Sequence, residues 1–368
     1  MTQKPFHLWL ALSPHGFGHA AMTAPVVREV RRRMPEMRLT IQTSVRRDFL
    51  DSRYDDFNHC PVIADFGFRM VSAVGIDLAA SARDYQQLAQ RFEQEVEDNA
   101  ALMAADRPDL VLSNVAFVPL AAAARLGVPS LALSSLNWAD MYAHYLSDRP
   151  EAAQVLAMIR QSYHSAKMFL RATPAQVMSL DNVHTIGPIS VVGNHDAERL
   201  KQSLRLDAHV RVGLIAFGGI DHDLDLKQWP HLPGWFWLTS QPCPQRPDMA
   251  AFQTVGMDFS DTLASVDLVV TKPGYGTFSE AGMAGVPVLY VARPDWPESP
   301  HLDHWLQAHT QCLAVPPDRA VHFQLESSLQ KLFSMKKQQP AQPTGIVEAA
   351  DIVIAELLAS RKSSYVVA

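Results

Sequence analysis

The sequence predicts an α/β protein made of two similar halves, each a parallel sheet wound with helices. Three observations carry that expectation. Short apolar runs alternate with segments of helical spacing almost throughout. The alternation fades near residues 190–208 and then begins again. Each half contains a strand, a glycine turn and a helix in direct succession. The length of 368 residues suits about two domains, and 48% hydrophobic against 19% charged residues suits chains that bury a core.

In the first half, His7–Leu12 reads as a strand, His19–Met34 as a helix with the basic cluster Arg28, Arg31, Arg32 and Arg33 near its end, and Arg38–Thr43 as a second strand. Val62–Phe66 is a third expected strand. Ser81–Asp106 is a long helix with Leu88, Phe92, Val96 and Met103 as its apolar stripe. Asp109–Ser113 and Ser130–Ser134 are buried-type strands around an Ala-rich helix that ends at Gly127. Tyr142–Tyr163 reads as one helix and Lys167–Arg171 as a strand. In the second half, strands are expected at Val210–Phe217, Trp235–Thr239, Leu268–Thr271, Val286–Val291 and Cys312–Val315. Helices are expected at Thr277–Ala284, Pro300–His309 and Gln324–Ser334. Lys336–Pro343 reads as a linker before a last helix, Ile346–Ala359. The expected domains are 1–190 and 205–340.

Composition narrows the function classes. Thirty-two basic against 38 acidic residues give a net charge of −6, which leaves no electrostatic footprint for nucleic acid. Cys60, Cys243 and Cys312 form no C-x-x-C pair, so no zinc or redox motif is expected, and a reducing compartment fits. No apolar run reaches 18 residues. The amino-terminal run is too short for a secretory signal, so the expected location is the cytoplasm.

The loop Ser13–His19 (SPHGFGH) joins the first strand to the first helix. Gly16 and Gly18 let a ligand approach the backbone, and the helix start offers free N–H groups. Gly16–Ala21 also satisfies the dinucleotide spacing G-x-G-x-x-A. The acidic residue that should end the second strand is absent, however; Arg46 and Arg47 follow it instead. A nicotinamide cofactor is therefore a minor alternative. His15 and His19 offer imidazoles that can take a proton near neutral pH.

The second half carries the stronger signal. Asp267–Glu280 (DLVVTKPGYGTFSE) is strand, glycine turn and helix start. Gly274 and Gly276 open the turn, and Thr277 and Ser279 add hydroxyls where a diphosphate would sit. Glu280 can accept hydrogen bonds from a ribose diol. The same T-x-x-E spacing equally describes a plain capping box, Thr277 with Glu280. The next loop on the same edge carries Glu298, His301 and Asp303, able to read sugar hydroxyls or simply to be helix-start acids and loop polars. Gly218 and Gly219 follow the first strand of this half.

Together these segments resemble nucleotide-sugar glycosyltransferases of the GT-B fold. The carriers are His15–Ala20 (HGFGHA), Leu136–Tyr142 (LNWADMY), Gly274–Glu280 (GYGTFSE) and Arg293–Pro300 (RPDWPESP). The pattern looks closest to the glycosyltransferase-like half of plant L-arabinokinases. A looser similarity, through Asp258–Leu263 (DFSDTL), is to the GlcNAc transferase that forms lipid II.

The resemblance implies two Rossmann-like domains facing across a cleft, with the final helix, about 346–360, packing back on the first. It implies a hexosyltransferase-like enzyme that takes a nucleotide-sugar, a UDP-sugar above all, with no cofactor and no metal, and inverts the anomeric centre. Backbone at Phe259 and Ser260 would meet the base and Glu280 the ribose. Gly218, Gly219, Gly274, Gly276, Thr277 and Ser279 would cradle the diphosphate with Lys272 beside them, and Glu298 and His301 would lie near the sugar. His19 would be the base, with Asn114 standing where relatives carry a carboxylate. His15, Gly16, Phe17, Gly18, Asn137 and Trp138 would lie on the acceptor side. Because Asn114 cannot balance an imidazolium, a sugar-nucleotide-binding module without turnover is a rival, as is a sugar-nucleotide epimerase.

Overall fold

The computed structural model describes residues 4–15, 18–72, 75–217, 226–316 and 325–364, with side chains described as far as Arg361. The chain divides into two compact units. The first comprises residues 1–71, 75–189 and 344–368, and the second residues 72–74 and 190–343.

The first unit is a parallel sheet of seven strands. In chain order these are β1 (His7–Leu12), β2 (Arg38–Gln42), β3 (Asn58–Cys60), β4 (Leu110–Asn114), β5 (Ser130–Ser134), β6 (Met168–Ala172) and β7 (Val183–Ile186). Their order across the sheet is β3-β2-β1-β4-β5-β6-β7. All of β1, β4 and β5 is buried. That is why these strands read as continuous apolar runs rather than alternating ones: helices cover both faces. The run in β4, Leu-Val-Leu, turns polar only at Ser113 and Asn114, the end where ligands meet such sheets.

Helix α1 (Gly18–Arg33) follows β1, and of the expected basic cluster Arg31, Arg32 and Arg33 lie in its last turn while Arg28 precedes it. After the short α2 (Arg47–Asp51), α3 (Leu78–Asp106) begins on a cap in which Asp77 accepts the Ala80 N–H at 2.9 Å. The expected third strand at Val62–Phe66 does not form. The strand is Asn58–Cys60, a half-exposed edge paired with β2. Residues 61–68 instead run irregularly and anchor themselves by Phe66 and Phe68, whose rings meet Tyr85 at 4.8 and 5.6 Å. Helix α4 (Val118–Arg125) joins β4 to β5. The single helix expected over Tyr142–Tyr163 is two, α5 (Trp138–Leu146) and α6 (Ala152–Ser165). Pro150 lies between them, and proline disfavours helix in the residue before it.

The second unit repeats the winding with six parallel strands: β8 (Arg211–Ile215), β9 (Trp235–Thr239), β10 (Met249–Ala251), β11 (Leu268–Thr271), β12 (Val288–Val291) and β13 (Cys312–Val315), in the order β10-β9-β8-β11-β12-β13. Strand β12 starts two residues later than expected because Pro287 has no N–H to give; its carbonyl still accepts from Val269 at 2.9 Å. The segment 190–208 goes with this unit and forms α7 (Ala197–Ser203), capped by Asp196 on the Arg199 N–H. Helices α8 (Phe259–Ser265), α9 (Tyr275–Ala284), α10 (Ser299–His309) and α11 (Leu325–Ser334) complete it. Gln324, the expected first residue of α11, lies outside the described residues.

Helix α12 (Gly345–Ser364) returns to the first unit and packs on α1. Its fully buried Ala349, Ala350, Val353 and Leu357 recur at helical spacing. The start of α12 lies so close to Gly187 that a Cβ on Gly345 would fall 2.0 Å from the Gly187 carbonyl oxygen. Arg361 anchors the far end: it donates to the Pro5 carbonyl at 2.7 Å, pairs with Asp109 at 3.1 Å, and lies 3.7 Å over the Phe6 ring.

Candidate functional site

In the first unit the sheet order reverses between β1 and β4, the switch point at which doubly wound sheets bind ligands. Leu12 and Asn114 are register partners at the carboxyl ends of those strands. The Ser13 N–H donates to the Asn114 carbonyl at 3.3 Å. His19, in the first turn of α1, places Nδ1 2.7 Å from Asn114 Oδ1. The amide oxygen only accepts, so Nδ1 carries the proton and Nε2 keeps its lone pair. Burial pushes the His19 imidazole down to about 4, with the Asn114 bond opposing the shift. The ring is therefore neutral at pH 7. Asn114 Nδ2 points at the Met22 sulfur, 3.5 Å away, which fixes the amide orientation.

Val115, directly after Asn114, is fully buried and has φ 61°, a region costly for a β-branched residue. Its carbonyl accepts the Tyr163 hydroxyl at 2.6 Å, which helps hold that turn and the Asn114 side chain beside it. His15 and His19 have ring centroids 6.4 Å apart. Both meet the Trp138 ring edge to face, at 5.3 and 6.3 Å. Asn137 and Trp138, expected to face the acceptor, are completely buried. Asn137 caps α5 through the Asp140 N–H at 2.9 Å, and Trp138 forms a floor under the two histidines. Gly16 and Phe17 lie outside the described residues. Gly18 has open space where a Cβ would stand.

In the second unit the corresponding switch point lies between β8 and β11. Helix α9 starts at Tyr275, and its N-cap position is Gly274, which has no side chain to cap with. Thr277 is thus inside the helix, not its cap, and the capping-box reading of Thr277 with Glu280 does not hold. A Cβ on Gly276 would meet nothing within 4 Å, and on Gly274 only the Lys272 carbonyl oxygen at 3.9 Å. Gly213 and Gly282 differ: a Cβ there would strike Trp237 and Trp305 at 2.3 and 2.5 Å. Those two serve packing, whereas Gly274 and Gly276, at the start of α9, have room beside them among the described residues. Thr277 and Glu280 are half-buried. Ser279 is fully buried, with its hydroxyl oxygen turned into the protein.

Lys272 leaves β11 at the same edge. Burial and the neighbouring Arg293 push its ammonium down to about 8, with Glu298 opposing. Arg293 follows β12, the strand paired with β11, and its guanidinium lies 3.8 Å over the Trp296 ring. Trp296 donates to Glu298 at 3.2 Å. Lys272, half-buried, thus interacts electrostatically with the buried Arg293 and Glu298. Arg293 stands in the motif that carries the resemblance, but nothing in that motif marks it as a neighbour of Lys272. His301 is half-buried in the first turn of α10. Asp303, raised to about 6 by burial, is bonded to Tyr290 behind it. Phe259 and Ser260 open α8, and Ser260 is covered from one side, since a Cβ on Gly193 would fall 1.9 Å from its carbonyl oxygen. Gly218 and Gly219 lie outside the described residues. So do Asp221, Asp223 and Asp225, whose double D-x-D spacing the expectation of a metal-free reaction has to accommodate. Among the described residues no helix is long and apolar enough to cross a membrane.

No protein-family model matches the chain. The L-arabinokinase of Arabidopsis thaliana is 25% identical over 306 residues, 81% of this chain, and the chain spans only 29% of that relative's length. Among solved structures, CalG4, the calicheamicin glycosyltransferase, superposes with a TM-score of 0.60 at 14% identity, over 99% of this chain and 98% of the other. Arabidopsis thaliana UGT89C1, crystallised with UDP, gives 0.56 at 13% identity, over 95% and 99%. With two parallel doubly wound sheets in one chain, this protein has the fold of the GT-B glycosyltransferases.

Proposed function

We propose that this chain transfers a sugar from a nucleotide-sugar, a UDP-sugar first among them, to a hydroxyl acceptor. The observation that carries the reading is the 2.7 Å contact between His19 Nδ1 and Asn114 Oδ1. It leaves a neutral imidazole with a free Nε2 lone pair at the switch point of the first sheet. In the proposed reaction Nε2 takes the proton of the acceptor hydroxyl. The acceptor oxygen forms a bond to the anomeric carbon as the bond from that carbon to the diphosphate breaks. The diphosphate leaves with the electron pair, and a single displacement of this kind inverts the centre. In this reading the backbone N–H groups at the start of α9, with Lys272, hold the charge that develops on the leaving group. Glu280 reads the ribose, Phe259 and Ser260 border the base, and Glu298 and His301 border the sugar. The similarity to a glycosyltransferase crystallised with UDP supports UDP as the nucleotide.

The test is calorimetry with UDP, dTDP, GDP and CMP, followed by UDP release from UDP-glucose with and without EDTA. His19→Ala should abolish turnover and leave UDP affinity unchanged; full turnover in that variant removes His19 as the base. A second reading follows from Asn114 itself, because an amide cannot balance an imidazolium. Under that reading the chain binds sugar nucleotides without turnover, and the wild type binds UDP yet releases none from any donor.

A further inference from the structure

We propose that Asp65 is a positioning residue of the His15–His19 site, its carboxylate holding the Trp138 indole on which both imidazoles pack. The inference rests on the reading of His19 as the base. No motif contains Asp65; it lies on the irregular segment between β3 and α3, where a strand was expected. Its Oδ2 accepts the Trp138 Nε1–H at 2.6 Å, and both groups are buried. Burial raises the Asp65 carboxyl to about 6, while the Ser13 hydroxyl and the Trp138 N–H oppose the shift. It is therefore ionised at neutral pH, where a charged acceptor strengthens the bond to the indole.

The surroundings make Trp138 a fixed part rather than filler. Its backbone N–H donates to the Tyr163 hydroxyl at 3.2 Å, and that hydroxyl donates to the Val115 carbonyl, next to Asn114. Gly67, two residues after Asp65, has φ +61°, and a Cβ there would fall 2.8 Å from Trp138 and 2.9 Å from His15. Ser13 connects the other side, its Oγ 3.4 Å from the His15 backbone nitrogen. A closed path thus runs from Asp65 through Trp138, Tyr163 and Val115 to Asn114 and His19. Asn114 sets the His19 tautomer. Asp65 sets the surface against which the ring stands.

The test needs no acceptor. Imidazole Cε1–H and indole N–H resonances are recorded for the wild type, Asp65→Asn, Asp65→Leu and Trp138→Phe, with a melting curve for each. Asp65→Leu should displace the Trp138 N–H resonance together with those of His15 and His19. Asp65→Asn keeps an acceptor oxygen and should return the histidine resonances close to their wild-type positions. Trp138→Phe keeps a ring without an N–H and should displace the histidines as Asp65→Leu does; it carries the test if Asp65→Leu does not fold. Histidine resonances that stay in place in folded Asp65→Leu, or in folded Trp138→Phe, overturn the inference. With UDP-glucose as donor, Asp65→Leu should lower kcat for UDP release about tenfold or more at constant KM, and Asp65→Asn should recover most of it. Resonances displaced in the variants, together with a wild type that releases no UDP, would retire the transferase reading and leave the positioning role intact.

Discussion

At the scale of single residues, the two candidate sites depend on groups whose charge is set by burial. His19 is held neutral. Its folded value, about 4, lies below the ordinary 6.5, so between those values the unfolded chain binds a proton that the folded one does not. Its contribution to stability is present above pH 6.5 and is lost as pH falls toward 4. A plot of melting temperature against pH for wild type and His19→Gln should diverge in that window, the wild type losing more on acidification. Lys272 works in the opposite sense for binding. Free, it loses its proton near 8; a bound diphosphate favours the charged form and raises that value. UDP affinity should therefore fall between pH 7 and pH 9, and Lys272→Met should flatten the profile. A slope unchanged in Lys272→Met removes Lys272 from the phosphate site. His19 and Lys272 were both legible in the sequence because each follows a strand and flanks a glycine turn. Asp65 was not, since it lies in a run that reads only as a strand, carries no motif, and contacts Trp138, 73 residues away.

At the scale of elements, the glycines of the second unit divide into those where a Cβ would strike a tryptophan, Gly213 and Gly282, and those with room beside them, Gly274 and Gly276. Gly276 lies within the helix, has no positive φ, and has no neighbour that a Cβ would touch. Packing and backbone alone would favour alanine there by about 1 kcal/mol. Gly276→Ala should thus hold or raise the melting temperature while weakening UDP binding, as read by thermal shift and calorimetry. Unchanged affinity would show that nothing approaches the backbone at that point. Glu280→Ala should weaken nucleotide binding by about 1–3 kcal/mol if the carboxylate reads the ribose, as read by calorimetry with UDP. The T-x-x-E spacing was ambiguous in the sequence for a physical reason. Helix starts are set by backbone geometry, and here the chain turns helical two residues before the threonine. Residues 62–66 misled similarly: an apolar run reads as a strand, whereas Phe66 and Phe68 satisfy it by packing on Tyr85 without joining the sheet.

At the scale of the whole molecule, both sheets were legible because central parallel strands such as Leu110–Asn114 are buried on both faces and leave an unbroken apolar signature. Leu112→Ala should cost about 2–5 kcal/mol through the cavity it leaves, seen as a lower denaturant midpoint. The partition was harder to read. Residues 190–208 look like a connector because they are polar and short of apolar period, yet they form α7 and pack on α8 through Asn194 and Asp261, 2.8 Å apart. The two units also differ in continuity: apart from residues 72–74 the second is one stretch of chain, whereas the first needs α12 from beyond it. Removing residues 344 onward should destabilise the first unit and spare the second, which two-phase unfolding followed by hydrogen exchange would resolve. Equal loss of protection in both sheets would contradict it.

That discontinuity has a consequence for the order of synthesis. A ribosome makes the seven-stranded sheet first, then the whole six-stranded unit, and only then the helix that covers the apolar side of α1. Domains fold as units while the chain emerges at about 5–20 residues per second. The unit begun first is therefore the last to be closed, and the groove that receives Ala349, Val353 and Leu357 stays open to solvent while more than 150 further residues are translated.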